Sequence, residues 1–242
     1  MLDQFLSPLD LARASQSFER LSGNNVSGLA LTGGFAVEIY CLQHGRAMIN
    51  RNLNDIDFIV NSFDDIPVTL SRDFLFRHIH PSDPPGKTLL QCVDSKVALR
   101  IDVFRAFSGT MERTGVVEIV GAQPMRIIGL EDLAARYGRL ALVDLTAGVT
   151  VPFKYLRDYF RVAEIADPAK LEIAWQDQRK ATQPKDFREA HRELQSIAAR
   201  SQESVDGPEY SRNPDTICDR CRETPTFKLA NPRLILSVMG YC

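Results

Sequence analysis

The spacing of hydrophobic and polar residues changes near the middle of the chain. In the first part, short apolar runs are separated by turn-forming residues, a pattern typical of β-strands. Strand-forming segments are predicted at residues 28–32, 55–60, 74–80, 88–94, 97–107 and 115–129. Two helices are predicted in the same part. One covers residues 7–21, with Ser7 as N-cap and Pro8 in the first turn, and the other covers residues 35–45 and ends at Gly45.

From Leu130 onward, apolar residues recur with helical spacing and few strand formers are present. Four helical segments are predicted, at residues 130–145, 151–166, 168–179 and 184–200. The sequence therefore predicts an α+β fold, in which a mixed β-sheet domain with flanking helices (1–128) is followed by a helical domain (129–200). Residues 201–242 are interpreted as a polar linker and a cysteine-containing tail.

The composition is that of an ordinary globular protein and does not indicate a particular reaction. Hydrophobic residues make up 44% and charged residues 25%, as in ordinary globular proteins, and the net charge is −2. The chain therefore lacks the overall basic field that would attract a polyanion, so any such site has to be built locally. No apolar run approaches the ~20 residues that span a bilayer, and the N-terminus does not resemble a signal peptide. With five cysteines, an odd number, we expect a reduced, cytoplasmic protein with no membrane association.

Two aspartates open the predicted strand at residues 55–60. Alternation places Asp55 and Asp57 on one face, about 6–7 Å apart along the strand, where their charges repel unless a cation lies over them. A third acid, Asp102, lies between Ile101 and Val103 in a later strand. If the strands are neighbours, the three carboxylates converge and form ligands suited to Mg²⁺. The alternative is a solvated strand edge that follows Asn54 in a turn.

The residues before the second predicted helix suit a phosphate chain. Gly33 and Gly34 lack Cβ atoms and let the backbone come close to a ligand, while the helix N-terminus supplies N–H groups. Thr32 adds a hydroxyl group and Arg51 adds a positive charge. The alternatives are an ordinary strand-to-helix turn and a solvated loop arginine.

The order "LTGGFAVEIY", "NRNLNDIDFIV", "LRIDVF" resembles the signature of the DNA polymerase β-type nucleotidyltransferase superfamily, over roughly residues 25–130. The resemblance implies transfer of a nucleotidyl group from an NTP to an acceptor hydroxyl with two Mg²⁺ ions. Asp55 and Asp57 would then bind both metals, and Asp102 would bind the catalytic metal and help to deprotonate the acceptor. Gly33 and Gly34 would hold the triphosphate.

A second segment, "KYLRDYFRV", is similar to a motif of the AbiEii-type nucleotidyltransferase toxins. That similarity implies that Lys154 contacts a nucleotide phosphate and that Asp158 orients it or acts near the acceptor. The alternative is an exposed i, i+4 ion pair of ~0.3 kcal/mol. A toxin would imply an antitoxin-like partner protein.

The tail contains Cys218 and Cys221 with the spacing of a zinc knuckle, and Cys242 is a possible third ligand. Free thiols in a loose tail are the alternative, because no fourth ligand is evident.

The sequence thus predicts a Mg²⁺-dependent nucleotidyltransferase whose acceptor is an RNA, a protein side chain or a small molecule. Two other classes remain open: a catalytically inactive nucleotide-binding or regulatory protein, and an interaction scaffold with the same fold.

Overall fold

The computed structural model describes residues 1–77, 89–94, 96–119, 122–146 and 153–200. The strands of these residues are β1 (Ala30–Thr32), β2 (Asp55–Val60), β3 (Phe74–Arg77), β4 (Leu89–Asp94), β5 (Leu99–Arg105), β6 (Gly115–Val117) and β7 (Met125–Ile127). The helices are α1 (Pro8–Ser22), α2 (Gly33–Gln43), α3 (Leu130–Thr146), α4 (Phe153–Ala163), α5 (Pro168–Gln178) and α6 (Phe187–Arg200). A mixed sheet with helices confirms the predicted α+β class.

Local sequence signals account for most element boundaries. Strand β2 begins and ends where its apolar pattern predicts, and Ser7 caps α1 by accepting a hydrogen bond from the Asp10 N–H at 3.2 Å. The segment 115–129 contains two short strands, β6 and β7, which pair antiparallel to each other. Helix α2 begins at Gly33, two residues before the predicted start at residue 35, so the two glycines belong to its first turn.

The seven strands form one sheet in the order β3-β4-β5-β2-β1-β7-β6. Parallel pairing joins β2 to β5 and β1 to β7, and the other neighbours are antiparallel. The mixed sheet predicted from sequence is therefore observed. Strands β5, β2 and β1 are neighbours, so the acidic strands and the strand that leads into α2 lie side by side.

Burial alternates along the first half of β2, and this fixes the orientation of its acids. Ile56 and Phe58 are almost completely buried, whereas Asp55 and Asp57 are partly exposed. The register pairs Asp57 with Asp102 of β5 and with Thr32 of β1. Because directly paired residues point to the same face of a sheet, all these polar side chains share one face.

The helices α3 to α6 pack against one another, and α3 and α4 also pack against α2. Their buried side chains, including Tyr159 and Trp175, belong to the same hydrophobic cluster as Phe18, Leu31 and Ile56 of the first part of the chain. The predicted division between residues 128 and 129 stays a prediction, because a shared cluster neither requires nor excludes two folding units.

The described residues include no helix long and apolar enough to cross a membrane. Cys41 and Cys92 are buried free thiols, and burial raises the pKa of both groups. The predicted linker and tail, with the possible zinc ligands Cys218, Cys221 and Cys242, lie outside the described residues.

Candidate active site

Three carboxylates converge at the centre of the sheet. One oxygen each from Asp55, Asp57 and Asp102 lies within 4.8 Å of the others, a grouping that can hold a metal ion. The parallel pairing of β2 with β5 produces this arrangement, because it sets Asp57 directly beside Asp102. The structure therefore brings together all three residues that the sequence pattern singles out.

An arginine from the same face contacts this acid cluster. Arg100 precedes Asp102 by two positions on β5 and is paired in register with Asp55. Its Nη2 donates to Asp55 Oδ2, and its Nε lies 3.0 Å from Asp102 Oδ1. Burial opposes the charge of Arg100, but Asp102 and Asp55 outweigh it and raise its pKa. Arg100 is thus a counterion that the sequence reasoning missed, although strand alternation places it on the face of Asp102.

Gln91 of β4 supports the acid cluster from the next strand. It is paired in register with Asp102, and its Nε2 donates to Asp102 Oδ1 at 3.2 Å. A neutral amide donor orients this carboxylate without removing its charge. Gln91 is also a residue that no sequence motif indicates.

Gly33 is required by the geometry of the site. Its φ of +68° is a conformation that side chains rarely adopt, and a Cβ atom there would lie 1.9 Å from Asp57 Oδ2. The absence of a side chain at Gly33 thus lets α2 begin against the acid cluster. At the preceding residue, the side chain of Thr32 does not cap the helix, and its buried Oγ1 has no hydrogen-bond partner among the described residues.

Gly34 makes room for a buried ion-pair network. A Cβ atom at Gly34 would lie 2.9 Å from Nη1 of Arg51. The Arg51 guanidinium donates to both carboxylate oxygens of Asp158, at 3.1 and 2.7 Å, and its Nε donates to Glu38 at 2.6 Å. Burial opposes the charge of Arg51, but the two acids outweigh it and raise its pKa.

Arg161 completes this network from α4. It donates to both oxygens of Glu38, at 2.6 and 2.8 Å, and to the Ala47 carbonyl at 2.8 Å. Glu38 is fully buried; burial raises its pKa, but Arg161 and Arg51 outweigh that effect and lower it. Glu38 is thus a buried member of the site region that the sequence patterns do not single out.

The predicted nucleotide ligands of the helical part have different surroundings. Asp158 is fully buried and bonded to Arg51, so the pair joins α4 to the segment that precedes β2. An exposed Lys154–Asp158 pair is therefore excluded. Lys154 belongs to the first turn of α4, and its side chain lies outside the described part. Nucleotide contacts of Arg51, Lys154 and Asp158 stay predictions.

The donor set of the acid cluster fits a hard divalent cation. Three carboxylates from adjacent strands offer only oxygen ligands, which Mg²⁺ prefers. A separate cleft of about 510 Å³ is lined by Gly28, Asp65 and Pro67, among others, but by none of the three aspartates. We place the chemistry at the acid cluster because the cleft lacks a comparable set of converging groups.

Comparison with known proteins gives distant structural likeness only. No protein-family model and no curated protein match the sequence. The antibiotic-resistance factor ANT(2'')-Ia is 16% identical, with 79% of this chain and 94% of that chain covered and a TM-score of 0.41. The Megavirus polyadenylate synthase is 13% identical, with 73% of this chain but only 34% of that chain covered and a TM-score of 0.43. These values are too low to carry residue roles over to this chain.

Proposed function

We propose that the chain is a Mg²⁺-dependent nucleotidyltransferase that moves a nucleoside monophosphate from an NTP to an acceptor hydroxyl. The observation that carries the proposal is the convergence of Asp55, Asp57 and Asp102 within 4.8 Å of one another. A helix N-terminus directly beside the acids supports it, because Gly33 leaves no space for a Cβ atom next to Asp57. The carboxylates are suitable ligands for Mg²⁺, and the free N–H groups of the helix N-terminus are suitable donors to phosphate oxygens.

In the proposed reaction, the acceptor oxygen forms a bond to the α-phosphorus of the NTP. The bond from that phosphorus to the bridging oxygen breaks, and pyrophosphate leaves. Two bound Mg²⁺ ions would supply charge neutralisation at the attacking and leaving oxygens. Asp55, Asp57 and Asp102 would hold the metal ions, and Asp102 would also take the proton of the acceptor hydroxyl.

The triphosphate would lie at the start of α2. Backbone N–H groups of the first turn, beginning at Gly33 and Gly34, would donate to its oxygens, and the helix dipole favours negative charge there. The buried Oγ1 of Thr32 would add a donor, which accounts for its missing partner. Arg51, whose guanidinium lies beside Gly34, would add positive charge at this turn, and Lys154 of α4 would supply a second positive charge to the nucleotide.

The proposed acceptor is an RNA, a protein side chain or a small molecule, and the AbiEii-type motif extends the proposal to a toxin with an antitoxin-like partner. Radiolabelled NTPs of each base can be incubated with Mg²⁺ and, separately, with total RNA, protein lysate and small-molecule extract. Label in one fraction identifies the acceptor class. If expression of the chain inhibits growth, co-expression with the product of an adjacent small gene tests the proposed antitoxin-like partner. A true partner should abolish the inhibition.

The central test is the substitution Asp57→Asn. It keeps the size of the side chain but removes one metal-binding charge, so label transfer should fall by about a hundred- to a thousandfold, a loss typical of removing a key electrostatic group. The matched control is Asp64→Asn, which removes an exposed acid beyond the end of β2. Transfer by the wild type that persists in Asp57→Asn would overturn the proposal.

One observation favours a second candidate, a catalytically inactive nucleotide-binding protein. Arg100 contacts two of the three acids and can balance their charge without any metal. NTP binding without transfer to any acceptor fraction would support this alternative. A protein that binds no NTP at all would instead point to an interaction scaffold.

A further inference from the structure

Arg136 of α3 lies at the border of the acid cluster. Its guanidinium carbon is 4.5 Å from the centroid of the Phe104 ring. Phe104 follows Asp102 by two positions on β5, so both side chains project from the same face of the sheet, about 6–7 Å apart along the strand. The cation–π contact therefore fixes a guanidinium beside the proposed metal ligands.

The N–H donors of Arg136 have no acceptor within the part of the chain that the structure describes. Across the described ranges, its guanidinium donates no hydrogen bond and forms no ion pair, and its contacts are the stacking on Phe104 and the attraction to nearby charged groups. An arginine has five N–H donors in a fixed fork, and the arginines Arg51 and Arg100 use theirs to bind carboxylates. Arg136 is partly exposed, so a ligand that enters from solvent can reach these donors.

The electrostatic surroundings favour an anionic ligand over an unliganded cation. Burial lowers the pKa of Arg136, and the negative charge of Asp57 opposes this effect more than any other group does. Asp57 is also a proposed metal ligand, so its charge would be shared with a metal ion when one is bound. Arg136 then needs another negative group, and such a group has to reach it from the acid cluster.

We propose that Arg136 binds the phosphate chain of the nucleoside triphosphate, opposite the N-terminus of α2. This inference rests on the proposed function. Phosphate oxygens match the planar fork of a guanidinium, and one face of the fork is already held by the Phe104 ring. The phosphate chain would thus be bound from the sheet side by α2 and the metal ions and from the helical part by Arg136.

The test compares Arg136→Gln with Arg139→Gln. Arg139 is the matched control, because it lies one turn further along α3 and stacks on Phe107 at 4.8 Å in the same way, but beyond the end of β5. Binding of each NTP and of inorganic tripolyphosphate is measured by calorimetry with saturating Mg²⁺. Arg136→Gln should weaken the affinity for the preferred NTP and for tripolyphosphate by at least about tenfold, and Arg139→Gln should not.

Further variants separate phosphate binding from other roles. Arg136→Lys retains the positive charge but lacks the planar guanidinium, so it should recover part of the affinity for tripolyphosphate. A nucleoside without phosphates should bind to the wild type and to Arg136→Gln with equal affinity. Thermal unfolding without ligand checks that both glutamine variants fold. Equal tripolyphosphate affinity of Arg136→Gln and Arg139→Gln overturns the inference and leaves the proposed transfer intact. If NTP binding depends on Arg136 but the protein transfers no label, the inference about Arg136 holds and the proposed transfer activity is overturned. If the wild type binds no NTP, both proposals are overturned.

Discussion

At the residue scale, Arg100 and a divalent cation compete for the same oxygens. The guanidinium contacts Asp55 and Asp102, which are also two of the three candidate metal ligands. These contacts are partly buried, since about a fifth of the Arg100 side chain is exposed (21%), so water screens them incompletely. A metal ion that takes these oxygens has to displace the arginine or share them with it.

The substitution Arg100→Gln should therefore tighten metal binding. Loss of a charged competitor is expected to raise the affinity for Mn²⁺ or Mg²⁺ by about tenfold, because a charge-assisted hydrogen bond is worth about 1.5–3 kcal/mol and part of this is regained as contact with water. Mn²⁺ binding is followed by electron paramagnetic resonance. The control is Arg105→Gln, at the exposed end of the same strand. Weaker metal binding in Arg100→Gln would mean that the arginine holds the acids in place for the metal.

Local patterns predicted the acid cluster but not its partners. Alternation in β2 and β5 gave the strand face of Asp55, Asp57 and Asp102, and their convergence was predicted on the condition that the two strands are neighbours, which the pairing of β2 with β5 confirms. The same alternation would have found Arg100, had basic residues been considered. The ion-pair network of Arg51 could not be predicted from the sequence, because its partners Glu38 and Asp158 are 13 and 107 positions away. No local pattern shows which helices are in contact.

At the element scale, one buried ion-pair network attaches α4 to the rest of the protein. Asp158 and Arg161 of α4 bind Arg51 and Glu38, and Glu38 also accepts from the Ile49 N–H at 3.1 Å. The network thus holds together α2, the segment before β2, and α4. Its position next to Gly34 also fixes the start of α2, where the triphosphate is proposed to lie.

Asp158→Asn should destabilise the protein strongly. The substitution leaves the buried Arg51 and the partly exposed Arg161 with Glu38 as their one remaining acid in the network. Removing one partner of a buried pair costs about 3–5 kcal/mol. Urea unfolding followed by circular dichroism measures the change in the free energy of unfolding.

The control is Glu164→Gln, which removes one partner of the exposed Arg46–Glu164 pair (50% and 62% exposed, 3.8 Å apart). Its effect should stay below about 1 kcal/mol. A similarly small effect of Asp158→Asn would show that water reaches the network and replaces the lost carboxylate.

At the scale of the whole molecule, the site depends on two parts of the chain that the sequence assigns to different domains. The sheet part supplies the acid cluster and the glycine turn, and the helical part supplies Arg136 and the α4 side of the ion-pair network. With a net charge of −2, no long-range basic field assists the binding of a polyanion. Nucleotide binding therefore relies on these short-range contacts, and they persist only while both parts keep their mutual position.

We expect the two parts to unfold together, because buried residues of both belong to one hydrophobic cluster and the network of Asp158 connects them. The single tryptophan of the chain, Trp175, is fully buried in α5 and reports on the helical part alone. In urea, its fluorescence and the far-ultraviolet circular dichroism of the whole chain should give the same midpoint and slope, the mark of one cooperative transition. In Asp158→Asn both midpoints should fall together. If the fluorescence transition instead occurs at a lower urea concentration than the dichroism transition, residues 128 and 129 mark a division between two folding units. The helical part would then have to dock on the sheet part before NTP binds.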